Sequence, residues 1–268
     1  MRWIFGDIHG MFGSLQGLLE AVSKADSSPR LLFSGDYVNR GPDSEDVIEL
    51  LTSLSNAQFI RGNHDDIFDE ILSGGSYATN ASEGDRMVAF EWFMQFGLDQ
   101  TLTSYGADWA ELDWMLHHGD EHRLASMLRC VSEKHRRFIH DLAGVIEEPD
   151  LFVAHGRWDV DDSGKAEKLA ERLSGDARLR YQLLWGRFEP YELHRPATWT
   201  RRGYFGHTPV DFYAAPESEE LTRPIATGKI VLVDTGAALA PAGRLTAFCH
   251  ETGQYLQVDR QGKLLSQR

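Results

Sequence analysis

Short apolar runs ending in glycine alternate with helically spaced apolar residues over the first sixty positions. Trp3-Ile4-Phe5 runs into Gly6, Leu31-Leu32-Phe33 into Ser34-Gly35, and Ala57-Gln58-Phe59-Ile60 into Arg61-Gly62. Runs this short, bounded by small and polar residues, predict buried strands over Arg2 to Phe5, Leu31 to Ser34 and Ala57 to Ile60. Between them Leu15, Leu18, Leu19 and Val22 recur every three or four residues, which predicts a helix over about Ser14 to Ser23. Asp26-Ser27-Ser28-Pro29 reads as a turn, and Pro42-Asp43-Ser44 opens a second helix carried on by Val47, Ile48, Leu51 and Leu54. The order β-α-β-α-β implies parallel strands joined by right-handed crossovers.

From Asp65 to Asp141 the pattern becomes helical: Ile67, Phe68, Ile71 and Leu72 before Gly74-Gly75, then Met87, Phe90, Phe93 and Met94, then Leu124, Met127, Leu128, Val131, Phe138 and Leu142. This predicts a mostly helical insertion over about residues 69–147, with the aromatic stripe Phe90, Trp92, Phe93 and Phe96 read as core. Leu151-Phe152-Val153-Ala154 restores the sheet and ends in His155-Gly156; a polar helical stretch, Asp161 to Leu179, precedes Leu183-Leu184-Trp185-Gly186-Arg187. Tyr204-Phe205 ends in Gly206-His207, and Ile230 to Val233 ends in Asp234-Thr235-Gly236. Leu245 to Cys249, a Glu251-Thr252-Gly253 turn and Gln254 to Val258 predict a hairpin. With no repeat and no linker, residues 1–268 read as one α/β domain.

The net charge of −14 opposes a nucleic-acid binder that works through a broad basic surface, and the acidic surplus reads as a solvated exterior. It still permits a small anionic substrate held by a few arginines and metal ions. Cys130 and Cys249 lack metal-ligand spacing and read as reduced core thiols. No run approaches the roughly 20 apolar residues of a membrane span, and Met1-Arg2-Trp3 enters the first strand with no leader pattern, so a cytoplasmic protein without a membrane partner is expected.

The chemistry collects where the apolar runs stop. Asp7, His9, Asp36, Asn63, His155 and His207 each follow one of five strand ends, the edge of an α/β sheet at which sites form. Carboxylate, amide and imidazole donors suit Mn²⁺, Fe²⁺ or Zn²⁺ better than Ca²⁺. Six donors exceed the need of one four-coordinate ion and suit two ions sharing a carboxylate, with Asp36 the natural bridge. Taken singly, Asp7, Asp36 and Asn63 could equally cap helices or turns. In Asn63-His64 one residue suits a metal and the other a proton. His117, His118, His122, His135, His140, His194 and His250 lie outside this pattern and read as surface or structural.

Asp7-Ile8-His9-Gly10, Gly35-Asp36-Tyr37-Val38-Asn39-Arg40-Gly41, Gly62-Asn63-His64-Asp65, His155-Gly156 and Gly206-His207 stand in the order of five signatures of the calcineurin-like metallophosphoesterases. More narrowly they resemble the phosphoprotein phosphatase (PPP) group, which includes bacterial serine/threonine protein phosphatases and symmetrical diadenosine tetraphosphatases. The resemblance runs from Arg2 to about Val258 and is weakest over the helical insertion. It implies a β-sandwich flanked by helices (α-β-β-α). It implies one metal on Asp7, His9 and Asp36, and a second on Asp36, Asn63, His155 and His207, manganese before iron or zinc. It makes His64 the acid for the leaving oxygen and Arg40 a phosphate ligand; Arg187 resembles the second phosphate arginine, with Arg157 a competitor.

Asn39 stands where protein phosphatases usually carry an Asp that orients the acid, and Asp65 where they usually have Glu; both departures occur among the diadenosine tetraphosphatases. His155 is followed by Gly156-Arg157-Trp158, whereas Gly206-His207-Thr208-Pro209 resembles the bacterial protein phosphatases. An Asn at position 39 could accept a hydrogen bond from His64 and orient it without supplying charge. The first expectation is a di-metal phosphohydrolase that cleaves a phosphomonoester, on a protein or small molecule, with hydroxide generated at the metals. The alternative is symmetrical cleavage of a dinucleoside tetraphosphate, and the second alternative a weakly catalytic metal-binding regulatory module.

Overall fold

Strand residues divide by parity between two cores. Trp3 and Phe5 of the first strand, and Leu31 and Phe33 of the second, pack toward helices, whereas Ile4 and Leu32 between them pack toward a second sheet. Alternation with period two puts one face of each strand on either side, so a fully apolar strand must be covered twice. The computed structural model describes residues 1–74, 85–160, 169–173, 175–213, 222–239 and 242–267.

The first unit is β1 (Arg2–Phe5), α1 (Phe12–Ala25), β2 (Arg30–Phe33), α2 (Ser44–Thr52) and β3 (Ala57–Phe59). β1, β2 and β3 pair in parallel as the sequence implies, and Ile60 continues β3 as a parallel bridge to Ala143. Helices α3 (Asn63–Ser73), α4 (Asp85–Met94), α5 (Leu98–Ser104), α6 (Trp109–His118), α7 (Glu121–Met127) and α8 (Glu133–His140) follow. The second sheet holds β4 (Ile146–Glu147), β5 (Leu151–Ala154), β6 (Arg202–Phe205), β7 (Ile225–Thr227) and β8 (Ile230–Leu232), with α9 (Leu169–Leu173) and α10 (Ala177–Trp185) between β5 and β6. Then β9 (Leu245–Cys249), β10 (Tyr255–Val258) and β11 (Leu264–Gln267) return to the first sheet.

The six-stranded sheet runs β11-β10-β9-β1-β2-β3 and the five-stranded sheet β4-β5-β6-β8-β7. Ile4, Leu32, Val153, Tyr204, Val231 and Phe248 meet between them. Phe152, Phe205, Leu232 and Leu183 form the core beneath the outer face of the second sheet. The result is the expected sandwich flanked by helices. Strands β4, β7 and β11 are absent from the sequence reading because each is short or half polar, and pairing with a neighbour, not apolar periodicity, makes them strands. Most of the polar stretch expected to be helical after Asp161 lies outside the described residues, as does Gly75; α9 and α10 are its described parts. Cys249 is a buried thiol as expected, but Cys130 is exposed. No helix among the described residues is long and apolar enough to cross a membrane.

Candidate metal centre and active site

Parallel strands point their C-terminal ends the same way, so β1, β2, β3, β5 and β6 deliver their following loops to one edge of the sandwich. Asp7 and His9 follow β1, Asp36 to Arg40 follow β2, Asn63 and His64 open α3 after β3, and His155 and His207 follow β5 and β6. These loops are strained. The non-glycine residues with left-handed backbone among the described positions are His9, Asp36, Asn39, Arg40 and His207, with φ between 49° and 69°. Each such residue costs of order 1–3 kcal/mol, a cost that persists where the surroundings over-determine it. Two glycines admit the carboxylates: a Cβ on Gly62 would lie 2.1 Å from Asp36 Oδ1, and one on Gly206 2.1 Å from Asp7 Oδ1.

All six sequence-predicted donors are buried, and their atoms converge in two groups that share Asp36. The ligand atoms of Asp7, Asp36 and His155 lie within 4.8 Å of one another, and so do those of His9, Asp36 and His64. His9 Nε2 is 3.4 Å from Asp36 Oδ2, and His155 Nε2 is 3.4 Å from Asp36 Oδ1. Asn63 Oδ1 sits 3.0 Å from His155 Nε2 and 2.9 Å from His207 Nδ1. The outer ring nitrogens are occupied: His9 Nδ1 donates to the Val38 carbonyl at 2.9 Å, and His155 Nδ1 to the Ser34 carbonyl at 2.8 Å. The backbone of Trp185 hydrogen-bonds the His207 ring. With the outer nitrogens donating to carbonyls, the inner nitrogens of His9 and His155 face one another across the site and are the ones free to bind a cation, the arrangement of metal-binding imidazole.

His155 Nε2 lies 3.0 Å from Asn63 Oδ1 and 3.4 Å from Asp36 Oδ1, and acceptor oxygens this close to a ring nitrogen call for positive charge among them, a proton or a cation. The titration behaviour says the same. Burial favours a neutral His155, yet Asp36 and Asp7 raise its pKa to about 10, so a proton takes the place a cation would fill. Burial opposes ionisation of Asp36, but His155 and His64 hold it well below the usual carboxylate range. Burial and the neighbouring Asp234 carboxylate push Asp7 well up. The donor set therefore fits divalent cations, with Asp36 common to both groups.

The sequence reading noted Asp65 as a motif variant and Asp234 at a strand end but gave neither a role, and both are supporting carboxylates. Asp65 accepts the N–H groups of Asp36 at 2.8 Å, Tyr37 at 3.0 Å and Gly62 at 2.9 Å, which ties the β2 loop to the start of α3. Burial and the Asp36 charge raise its pKa to about 7. Asp234 follows β8; its Oδ1 accepts the Gly236 N–H at 2.9 Å and its buried Oδ2 has no hydrogen-bond partner among the described residues. Asp234 closes the fourth strand end of the second sheet, so the glycine-ended apolar run Ile230 to Val233 was the available signal.

His64 is buried and wired through Asn39. Asn39 Nδ2 lies 2.9 Å from His64 Nδ1, and Asn39 Oδ1 accepts from the Thr101 hydroxyl at 2.9 Å. Thr101 Oγ1 in turn accepts the Asn39 N–H at 2.8 Å and lies 3.0 Å from Ser44 Oγ. This orientation gives one consistent donor chain: Ser44 donates to Thr101, Thr101 to Asn39, and Asn39 to His64. A flipped amide would leave the buried Ser44 hydroxyl without an acceptor among the described residues. Asn39 therefore donates to His64 where the sequence reading had it accept. His64 Nδ1 is the acceptor, so the ring is neutral with its proton on Nε2. Burial lowers the His64 pKa to about 4, Arg40 adding to the effect against the pull of Asp36.

The arginines separate. Arg157 is committed to the buried Glu192, with Nε 2.9 Å and Nη2 2.5 Å from its carboxylate. Among the described residues Arg40 and Arg187 have no carboxylate partner: Arg40 Nη2 lies 3.5 Å from His64 Nε2, and exposed Arg187 packs over Phe212 at 5.8 Å. The aromatic stripe also splits. Phe90 and Phe93 are core at 0% and 1% exposure, but Trp92 and Phe96 are 44% and 40% exposed, against the expectation that all four are interior. Phe93 and Phe96 flank the His64 ring at 5.2 Å and 6.2 Å.

The chain is similar to known proteins. A symmetrical bis(5'-nucleosyl)-tetraphosphatase of Coxiella burnetii is 46% identical over 63 residues, 24% of this chain and 22% of its own length. So the chain spans about a fifth of that relative in the aligned part. One from Dechloromonas aromatica is 26% identical over 278 aligned positions, 96% of this chain and 95% of its own. A solved structure described as a candidate diadenosine tetraphosphatase superposes with a TM-score of 0.55 at 21% identity, covering 96% of this chain and 92% of that one; at that identity it supports the fold. The model of the calcineurin-like phosphoesterases, a family that uses a dimetal centre, matches residues 2–211. With the match covering β1 to β6 and all five donor-bearing strand ends, the chain belongs to the calcineurin-like phosphoesterase family of metal-dependent hydrolases.

Proposed function

We propose that this chain hydrolyses a phosphoanhydride in a nucleotide polyphosphate of the dinucleoside tetraphosphate kind. Asp7, His9 and Asp36 would hold one divalent cation and Asp36, Asn63, His155 and His207 the other, manganese first, with iron or zinc as substitutes. When bound, such a pair supplies positive charge at the phosphoryl oxygens and acidifies water. Arg40 and Arg187, free of carboxylates among the described residues, hold phosphate oxygens. The commitment of Arg157 to Glu192 supports a structural role for it. His64 offers its Nε2 proton to the departing oxygen, and Asp65 keeps the Asp36 and Gly62 backbone in place for it.

The observation that carries the choice of substrate is the Asn39 amide donating to His64. A neutral imidazole is a far weaker acid than an imidazolium, so it stabilises a departing oxygen by hydrogen bonding and protonates an alkoxide poorly. A serine or threonine alkoxide needs that proton; a nucleotide phosphate does not. The phosphomonoester reading therefore ranks second, and within it an aryl phosphate meets the same criterion. A small phosphate or nucleotide substrate, a cytoplasmic setting and no nucleic-acid or membrane partner belong to the same proposal. The test is kcat/KM with Mn²⁺ on diadenosine tetraphosphate, p-nitrophenyl phosphate and a phosphoserine peptide. The expected order has the dinucleotide and the aryl phosphate at least about 10²-fold above the peptide. Equal or better turnover of the peptide would overturn the anhydride reading, and no turnover of any of the three would return the chain to a metal-binding regulatory module.

A further inference from the structure

Four large aromatic rings gather at the mouth of the site, from α4, the turn after it and α10. Trp92 lies near the end of α4 with Phe96 one turn on; Tyr181 and Trp185 lie four residues apart on α10, on one helix face. Trp92 and Trp185 stack across the helix pair at 5.6 Å with planes 20° apart, and Tyr181 is near parallel to Trp185 at 6.5 Å and 21°. Phe96 packs edge-on to Trp92 at 5.8 Å. Trp92, Phe96 and Tyr181 are 44%, 40% and 67% exposed. Contiguous aromatic surface left in water marks a binding site more often than a defect. Two members of this row face the site: Trp185 lies 6.3 Å from the metal-site ring His207, and Phe96 lies 6.2 Å from the His64 ring.

We propose that Trp92, Phe96, Tyr181 and Trp185 form a stacking shelf for the nucleobase of a nucleotide whose phosphates lie at the metal centre. The shelf deepens the nucleotide reading above and rests on it. Parallel aromatic faces beside two arginines without carboxylate partners, Arg40 and Arg187, match a ligand that is aromatic at one end and polyanionic at the other. The extent of the row selects a nucleotide over an aryl phosphate. A ring bonded directly to the reacting phosphate reaches Phe93 and Phe96 beside His64, while Trp92 and Tyr181 lie one ring farther out. A base separated from the scissile bond by a sugar and further phosphate spans that distance.

The test leaves Trp185 and Phe96 intact, since they touch His207 and His64. Trp92→Ala, Tyr181→Ala and the conservative Trp92→Phe are assayed on diadenosine tetraphosphate and on tripolyphosphate, which keeps the anhydride and lacks the ring. Each alanine variant is expected to raise the ratio of the two KM values, dinucleotide over tripolyphosphate, roughly 10-fold, the loss of one base stack. Trp92→Phe is expected to restore most of the ratio. An unchanged ratio in both alanine variants overturns the shelf. Binding is read separately as quenching of tryptophan fluorescence by ADP in the metal-loaded protein. ADP quenching that pyrophosphate does not reproduce, and that Trp92→Ala and Tyr181→Ala weaken, supports the shelf even if the wild type fails to cleave the dinucleotide. In that case the reaction reading fails and the binding site stands. ADP that quenches no more than pyrophosphate overturns the shelf whatever the enzyme cleaves.

Discussion

The strand-end loops and the α4–α5 segment meet at His64 and are built on opposite physical terms. The loops are strained and crowded: left-handed backbone at five non-glycine residues, and carboxylates packed onto glycine where no Cβ fits. The helices contribute ordinary backbone, two exposed aromatics and one buried hydroxyl, Thr101, bonded to Asn39. The contrast teaches a division of labour. Strained loops over-determine donor positions that a metal pair would need to within fractions of an ångström. The helices lie outside that constraint except at Gly97 between them, where a Cβ would meet the Arg40 backbone at 2.3 Å, and on the proposed function they are where the leaving group and the proton would be tuned.

The largest blow to this division falls on the residue both donor groups share. Asp36→Asn is expected to abolish turnover and to take metal content from about two ions per chain to near none, because each group loses its common carboxylate. Metal analysis of protein purified without chelator is the measurement, and two ions retained in Asp36→Asn would break the assignment of the loops. His64→Ala comes next. It is expected to lower kcat on the dinucleotide by about 10²-fold, the low end for a general acid, with metal content unchanged. His64 lies in one of the two donor groups, so loss of metal in this variant would move His64 from the proton to the metal side of the comparison.

The two regions were not equally legible in the sequence. Asp7, His9, Asp36, Asn63, His155 and His207 announce themselves because a buried strand ends abruptly, and donors placed there have few structural duties to confuse with chemistry. The parallel β1–β2–β3 unit was legible for the same reason, its helices and strands having clean periods. Thr101 was invisible: a threonine at a polar position of a short helix carries no periodic signal, and its partner Asn39 lies 62 residues away. Asp65 looked like a motif variant, and only its three backbone donors explain why a carboxylate sits there. Trp92 and Phe96 share an aromatic stripe with Phe90 and Phe93. Which of the four face the interior depends on where α3 and α5 pack against α4, which sequence spacing does not record.

A substitution at the seam between the regions sharpens the comparison. Asn39→Asp replaces a donor to His64 Nδ1 with an acceptor, which favours a proton on that nitrogen and an imidazolium acid. Turnover of phosphoserine relative to p-nitrophenyl phosphate is expected to rise about 10-fold, equivalent to one pKa unit of differential interaction. Equal changes on both substrates would show that position 39 does not tune the acid.

The smallest expected effect is the most diagnostic, because it begins outside the loops. Thr101→Val keeps the volume of the side chain and removes the hydroxyl that orients the Asn39 amide. Asn39 Oδ1 then lacks its donor, and the Ser44 hydroxyl and the Asn39 N–H lose their shared acceptor. Three buried groups left short of partners cost stability of about 1–3 kcal/mol or more, which alone would lower the melting temperature and say nothing about His64. The amide, however, becomes free to turn its oxygen toward Nδ1, so both imidazole tautomers are populated. Nitrogen-15 spectra of the ring are expected to change from one bare Nδ1 to an averaged pair, and kcat on the dinucleotide to fall a few-fold. Thr101→Ser restores the hydroxyl and is expected to restore both readouts. A Thr101→Val protein that melts lower but keeps a bare Nδ1 and unchanged kcat would leave Thr101 a packing residue, and would confine control of the proton to the strand-end loops.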